Sequence, residues 1–250
     1  MLNQQTIEKL SWMHMATFAR EYNRQMEDPS CIPLTFDERF GMLVDAEYTS
    51  RQNKSLQNLL KKAKLRQQAC LEDIAYTPDR QINRDQIRQL STGSWIRENH
   101  NLILTGATGT GKSFCACAFG NSACRQGIKT RYFRVPRLLT DLAIARGDGS
   151  YNKLMKELKK IELLILDDWG LNTLEPLACR DLLEVVEDRY EERSTLIASQ
   201  LPVSSWYDIF QDSTIADAIL DRLVHSAYRI DLSGASRRAI KAEKGGVTLP

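Results

Sequence analysis

The residues with the clearest chemistry lie between positions 101 and 113, where a short apolar run leads into a glycine-rich segment that ends in lysine and serine. The run 102–104 (Leu-Ile-Leu) is typical of a buried strand. Residues 106–113 read G-x-x-x-x-G-K-S, the Walker A phosphate-loop pattern, and a helix-forming run follows. Strand, loop and helix therefore come in the order that a nucleoside triphosphate site requires.

Each residue type in this loop has a chemical reason for its position. Glycine allows tight turns that aim backbone N–H groups at phosphate oxygens. Lys112 would supply a cation for the β- and γ-phosphates, and the Ser113 hydroxyl can ligate magnesium, while the next helix adds its positive N-terminal end. The predicted cofactors are ATP and Mg²⁺. The predicted nucleotide-binding residues are Gly106, Ala107, Thr108, Gly109, Thr110, Gly111, Lys112 and Ser113.

A pair of acids ends a second apolar run, residues 163–166. A buried parallel strand would deliver Asp167 beside the magnesium and Ser113 at its carboxyl end, which is the Walker B arrangement. We interpret Asp168 as the residue that polarises the attacking water, although it could simply begin the next turn. Because phosphate-loop kinases need one acid here, the pair favours ATP hydrolysis over transfer to a small molecule.

Two later positions could complete this site. A strand predicted over 195–199 ends in Ser199 and Gln200. A polar side chain there would lie next to the Walker B acid and could hydrogen-bond the γ-phosphate or the water; a plain turn is the alternative. Arg222 lies on a helix predicted over 214–227. Since a lone arginine on a helix is usually solvated, spacing alone does not make it catalytic.

Length and composition restrict the class of protein. The 250 residues can hold one α/β domain and a small appendage. No apolar run approaches the ~20 residues of a membrane span, and we see no secretion signal. The six cysteines show neither CxxC pairs nor a regular framework, so we expect a cytoplasmic protein. The net charge is only +2, so any nucleic-acid surface must be local.

Residues 1–70 are predicted to form a separate helical domain for DNA binding and oligomerisation. Apolar spacing predicts one helix over 2–22, and a capping-box pattern at Thr35 and Glu38 predicts the start of a longer one. The second half of that longer helix is basic, and from 51 to 66 it carries no acid. A basic stripe is either a solvated face or a contact for the backbone of duplex DNA. The residues concerned are Arg51, Lys54, Lys61, Lys62, Lys64 and Arg66.

Residues 71–250 are predicted to form the catalytic domain. From 101 onward, predicted strands and helices alternate, which indicates an α/β fold with a parallel sheet flanked by helices. The stretch 71–100 is where adenine contacts are expected. The further predicted strands cover 129–135 and 228–232, and the further predicted helices cover 82–90, 94–98, 137–146, 151–160 and 175–193, with a loop at 147–150.

Several longer stretches give the chain a family resemblance. It resembles the IstB/DnaC-like AAA+ ATPases over nearly its whole length. The most specific stretches are LLILDDWG (163–170), ASQLP (198–202), ILDRL (219–223) and GASRR (234–238). The resemblance implies an AAA+ P-loop NTPase fold with a small N-terminal all-helical domain.

The resemblance also implies roles for individual residues. It assigns Ser199 and Gln200 to the sensor-1 position, and Arg222 to an arginine finger that enters the ATP site of the neighbouring subunit. Arg238 fits a sensor-2 position, with Arg237 as the competing choice. Asp168 departs from the wider AAA+ pattern, in which glutamate is commoner at this position.

The function implied is that of an ATP-dependent regulator of transposition. Such a protein oligomerises on duplex DNA with ATP sites at its subunit interfaces, stimulates the transposase of the same insertion sequence, and is reset by ATP hydrolysis. A DnaC-like helicase loader is the near alternative, and its N-terminal segment would grip a helicase. A small-molecule kinase is a further alternative, which would need an acceptor-binding lid.

Overall fold

A computed structural model describes residues 2–77, 80 and 82–234 of this chain. The described residues fall into two compact units, one that extends to Asn58 and one that begins at Leu59. The assignment of DNA binding and oligomerisation to 1–70, and of ATPase chemistry to 71–250, stays a prediction about function.

The N-terminal unit contains helices α1 (Leu2–Trp12), α2 (Ala16–Glu27) and most of α3 (Phe36–Ala63). The prediction of one helix over 2–22 is wrong, because His14 adopts a left-handed φ of 57° between α1 and α2. The capping box at the start of α3 is confirmed. The backbone N–H of Thr35 donates to Glu38 at 2.8 Å, and the N–H of Glu38 donates to the Thr35 hydroxyl at 3.3 Å.

Two short helices precede the first strand of the second unit. These are α4 (Arg84–Ser91) and α5 (Ser94–Arg97). The Asn83 side chain caps α4 by accepting hydrogen bonds from the N–H groups of Asp85 and Gln86, at 2.9 and 3.1 Å. Both helices lie within a residue or two of their predicted positions.

A parallel sheet of five strands forms the centre of the second unit, and its order is β2-β3-β4-β1-β5. Every neighbouring pair is parallel, as the alternation of strands and helices predicts. The strands are β1 (Asn101–Thr105), β2 (Thr130–Arg134), β3 (Leu163–Trp169), β4 (Ser194–Ser199) and β5 (Ala227–Asp231).

Five longer helices connect these strands: α6 (Lys112–Arg125), α7 (Val135–Asp148), α8 (Tyr151–Lys159), α9 (Pro176–Glu187) and α10 (Ser213–Val224). The predicted loop at 147–150 is wrong in part, since α7 continues to Asp148. Gly149 then ends the helix with a left-handed φ of 79°. The predicted helix over 175–193 is too long, because α9 ends at Glu187.

The sheet is covered on both faces. Along β1, Leu102 and Leu104 pack in one apolar cluster and Ile103 packs in the other. Continuous apolar strands such as β1 are expected when both faces of a parallel sheet are buried. The six cysteines form no disulfide in the described part of the chain. Within that same part, no helix has both the length and the apolar character that crossing a membrane demands.

Candidate functional site

The Walker A loop follows β1 and lies against the chain that leaves β5. The N–H of Leu232 donates to the Thr105 carbonyl at 2.8 Å. A Cβ atom on Gly106 would lie 2.1 Å from the Leu232 carbonyl oxygen, so only glycine fits there. Gly109 and Gly111 also have positive φ angles, of 88° and 101°. The loop therefore has the glycine-dependent backbone that a phosphate cradle needs, and its residues fit the nucleotide that the motif implies.

Lys112 is buried and folds back over this loop. Its Nζ atom donates to the carbonyl oxygens of Gly106 at 2.6 Å and Ala107 at 2.8 Å. Thr110 donates its hydroxyl to the same Ala107 carbonyl at 2.9 Å. The lysine cation is thus held within the loop, and Ser113 follows it in the first turn of α6.

A buried arginine upstream of the loop also supports it. Arg80 is 4% exposed and donates to the Ala75 carbonyl at 2.9 Å and to the Thr110 carbonyl at 2.7 Å. The sequence predicts adenine contacts somewhere in the stretch 71–100, which stays a prediction, and no pattern in that stretch distinguishes Arg80. Its contact with the loop exists only because the fold brings the two segments together.

The Walker B acids lie at a β-bulge. In the β3–β4 ladder, Leu166 pairs with Ile197 but Trp169 pairs with Ser199, so β3 carries one extra residue. Asp168 has a left-handed φ of 58° at this point. Successive side chains on a regular strand alternate between faces, and the bulge interrupts that alternation at the two acids.

Asp167 is 2% exposed and is held from several directions. One carboxylate oxygen accepts the N–H of Asp168 at 2.9 Å, and the other accepts the Tyr132 hydroxyl at 2.5 Å. A guanidinium nitrogen of Arg66 lies 3.8 Å from that second oxygen. Burial raises the pKa of Tyr132, and its bond to Asp167 raises it further, so the phenol remains a proton donor.

Asp168 forms an ion pair with Arg134, whose Nε contacts the carboxylate. Arg134 ends β2, and its backbone is in register with Asp167 on β3. The hydrogen bond to Asp168 is the main cause of a raised pKa for Arg134. Sequence reasoning missed both Arg134 and Tyr132, since only the order of the strands places β2 beside the Walker B acids.

The two sensor-1 candidates, Ser199 and Gln200, lie in different surroundings at the end of β4. Ser199 is fully buried, and its hydroxyl donates to the Trp169 carbonyl at 2.9 Å and accepts the N–H of Leu201 at 3.1 Å. Gln200 is exposed and accepts a hydrogen bond from the Thr108 hydroxyl at 2.7 Å. Of the two, Gln200 is the side chain that reaches the phosphate loop.

The backbone of Arg222 lies beside the start of β1, whereas the phosphate loop of the same chain follows the end of that strand. Its carbonyl accepts a hydrogen bond at 3.2 Å from Asn101, the first residue of β1, whereas the loop follows the last residue. From the rise per residue of a strand, Asn101 and Gly106 are about 16 Å apart. The guanidinium donates to Glu187 at 2.9 Å and lies 5.8 Å from the ring centroid of Tyr190. The sensor-2 candidates Arg237 and Arg238 lie outside the described residues.

The basic stretch 51–66, which covers the end of α3 and the three residues after it, is mostly exposed. Arg51 is engaged within the N-terminal unit, where it donates to Glu47 at 2.7 Å and to the His14 carbonyl at 3.2 Å. The exposed lysines of this stretch are Lys54, Lys61, Lys62 and Lys64. Their contact with DNA stays a prediction, and so does that of Arg51 and Arg66.

The strand order, the loop after β1, the paired acids on β3 and the polar side chain after β4 define an AAA+ P-loop NTPase. Solved structures agree on this fold. DnaI is similar, with a TM-score of 0.58 and 21% identity over 73% of this chain and 93% of DnaI. The DnaC helicase loader has a TM-score of 0.54 and 21% identity over 66% of this chain and 97% of its own. These likenesses concern the fold alone.

Within that class, the sequence places the chain in one family. The model of the IstB-like ATP binding protein family matches residues 5–245, and this chain belongs to that family. An insertion sequence ATP-binding protein of Sinorhizobium fredii is 46% identical over 98% of this chain and 100% of its own length. The ATP-binding protein of insertion sequence IS1162 from Pseudomonas fluorescens is 47% identical over 82% of this chain and 89% of its own.

Proposed function

We propose that this protein is a magnesium-dependent ATPase that regulates transposition. It assembles on duplex DNA in its ATP-bound form, engages and stimulates the transposase of the same insertion sequence, and disassembles after hydrolysis. The proposal is supported by the family, by relatives whose names place them in insertion sequences, and by the site described above. A protein that acts on DNA with ATP would work in the cytoplasm.

The position of Arg222 is the main support for the oligomeric part of this proposal. A single chain has its phosphate loop at one end of β1 and Arg222 at the other, so it cannot bring the two together. A neighbouring subunit can supply the arginine to the loop. Arginine fingers of this kind stabilise the charge that develops on the γ-phosphate oxygens.

The remaining roles follow from the geometry of the loop and the bulge. Lys112 would exchange its loop carbonyls for phosphate oxygens, and Gln200 lies beside Thr108, where its amide would orient the γ-phosphate or the water. Magnesium would be held by Ser113 and Asp167 and would neutralise phosphate charge. Asp168 would accept a proton from the attacking water.

The DNA part of the proposal is supported by charge and exposure. Lys61 and Lys62 are exposed in the last turn of α3, and Lys64 is exposed just after it. They form a local cationic surface on a chain whose net charge is only +2. Lysine at such a surface binds phosphates without reading sequence, so we expect little base specificity from this segment.

Sedimentation velocity and a strand-transfer assay together test the proposed function. With a non-hydrolysable ATP analogue and a 50-base-pair duplex (roughly five helical turns), we expect an assembly larger than with either ligand alone, and none for Lys112→Ala. The purified transposase should then insert more DNA ends in the presence of ATP and the wild-type protein. Stimulation of a replicative helicase, with no effect on the transposase, would instead indicate a helicase loader.

A further inference from the structure

The basic stretch 51–66 extends three residues beyond α3, and its last residue, Arg66, lies beside the Walker B acid Asp167. The charge pattern predicts that Arg66 binds DNA, yet its guanidinium nitrogen lies 3.8 Å from the Oδ2 atom of Asp167. The Arg66 side chain is 42% exposed, whereas that of Asp167 is 2% exposed. A partly solvated cation therefore contacts the buried acid that would hold magnesium.

The fold fixes Arg66 in this position. Helix α3 ends at the fully buried Ala63, and Lys64 then adopts a left-handed φ of 50°, which turns the chain toward β2 and α6. Leu65 packs against the core cluster beside α6, where a Cβ on Gly120 would lie 2.8 Å from it. Before the turn, the Lys62 carbonyl accepts a hydrogen bond from Arg131 of β2 at 2.9 Å. Arg66 is thus placed by packed neighbours on both sides of the turn.

We propose that Arg66 is a positioning residue that sets how strongly nucleotide binding depends on magnesium. Its guanidinium partly offsets the negative charge of Asp167, whose Oδ2 atom also accepts the hydroxyl of Tyr132. Asp167 would therefore hold magnesium with a fixed cation 3.8 Å from the same carboxylate oxygen. This inference rests on the proposed function, because it takes Asp167 as the magnesium residue.

The sign of the effect follows from charge. Arg66 attracts the polyphosphate of metal-free ATP, and it repels the Mg²⁺ ion that accompanies the metal complex. Both effects reduce the factor by which magnesium tightens binding. Removing the cation should therefore increase that factor, whichever of the two effects is larger. If the arginine had a purely structural role, its removal would weaken both binding reactions alike and leave the factor unchanged.

The test is the affinity of a fluorescent ATP analogue, measured by titration of the full-length protein with excess Mg²⁺ and with EDTA. For Arg66→Gln we expect the ratio of Kd in EDTA to Kd in Mg²⁺ to rise about threefold or more over wild type, as for removal of a charge at this distance in a partly solvated site. Arg66→Lys keeps the cation and should stay near the wild-type ratio. Lys156→Gln removes the same charge from the exposed face of α8 and should leave the ratio unchanged.

An unchanged or lower ratio in Arg66→Gln would overturn the inference, as would an equal rise in Lys156→Gln. Failure of the proposed function has a different result. If the wild-type protein bound no nucleotide, or bound it equally well with and without magnesium, then Asp167 would not be a magnesium residue and both proposals would fall.

Discussion

Arg134 and Asp168 form an ion pair across neighbouring strands, with the arginine at the end of β2 and the acid at the bulge of β3. The side chain of Asp168 is 15% exposed and that of Arg134 is 52% exposed. The carboxylate oxygen that accepts the Arg134 guanidinium is occupied by that charge-assisted hydrogen bond, and so it is not free to accept one from a water molecule. The acid proposed to activate water is therefore restrained while this pair persists.

Replacing Arg134 should release Asp168. We expect Arg134→Gln to hydrolyse ATP several-fold faster than wild type in the absence of DNA, with little change in ATP affinity, as measured by phosphate release under steady-state conditions. The matched control is Arg137→Gln, which breaks a surface ion pair with Asp141 on α7 and should leave the rate unchanged. A slower Arg134→Gln enzyme would mean that the arginine assists catalysis.

Two substitutions in the site should distinguish ATP binding from ATP hydrolysis. Lys112→Ala should abolish ATP binding in an equilibrium titration, because the phosphates lose the cation of the loop. Asp168→Asn should still bind ATP but hydrolyse it slowly, since Ser113 and Asp167 remain to hold magnesium. Asparagine tolerates the left-handed backbone at 168, so this change isolates the carboxylate. Parental turnover by Asp168→Asn would rule out its role with water.

Replacing Lys61, Lys62 and Lys64 by glutamate should weaken the binding of duplex DNA irrespective of its sequence. Each phosphate that the protein no longer neutralises lowers the slope of log affinity against log salt by about 0.9, which fluorescence anisotropy at several salt concentrations can measure. The control changes Lys153, Lys156 and Lys160 to glutamate on and beside α8, for the same change in net charge. An equal reduction of the slope in both variants would show that the effect is one of net charge alone.

The trans role of Arg222 can be tested by mixing two inactive variants. Arg222→Ala and Lys112→Ala should each lack ATPase activity, and the loss in Arg222→Ala should reach roughly 10³-fold. In a mixture, some interfaces join an intact loop to an intact arginine, so part of the hydrolysis should return. If the two proteins co-assemble in sedimentation experiments and the mixture stays inactive, Arg222 acts within its own subunit or only in folding.

Arg189 should contribute to stability rather than to catalysis. It is 2% exposed and donates to the carbonyl oxygens of Leu158, Ile161 and Ser194 at 2.9, 2.8 and 2.6 Å. Burial lowers the pKa of this guanidinium to about 9, so at neutral pH it remains a cation held by these oxygens.

Arg189→Ala would leave those carbonyl groups without their donor, at a cost of about 3 kcal/mol or more in the free energy of unfolding. Urea denaturation measures this cost. The exposed Arg193→Ala provides the control, with an expected change of about 0.5 kcal/mol or less. Equal stability of the two variants would contradict the structural role of Arg189.

The parts of the molecule that sequence predicts best are those determined by local pattern. The phosphate loop is contiguous, so its glycines and Lys112 can be read directly. The parallel sheet follows from the alternation of apolar runs and amphipathic segments. The capping box at Thr35 is likewise a pattern of four consecutive residues.

The features that sequence misses depend on tertiary structure. Nothing in the residues around Tyr132 and Arg134 shows that β2 lies beside β3. Only this strand order brings both side chains to the Walker B acids. The break at His14 is not predicted, since a left-handed backbone at a residue other than glycine leaves no compositional signal. The presence of Gly147 predicts a loop that starts at that residue, but α7 continues past it and ends at Gly149.

Asn101 begins β1 and Gly106 directly follows its last residue, and this placement also constrains how subunits could associate. In the proposed trans arrangement, each subunit lends Arg222 from one end of β1 and receives a neighbour's arginine at the other end, which favours head-to-tail stacking over a two-fold dimer. An open stack of such subunits is polar. The subunit at one end has an ATP site without a neighbour's arginine, and the subunit at the other end has an arginine that enters no site. The two ends should therefore hydrolyse ATP at different rates and lose subunits at different rates.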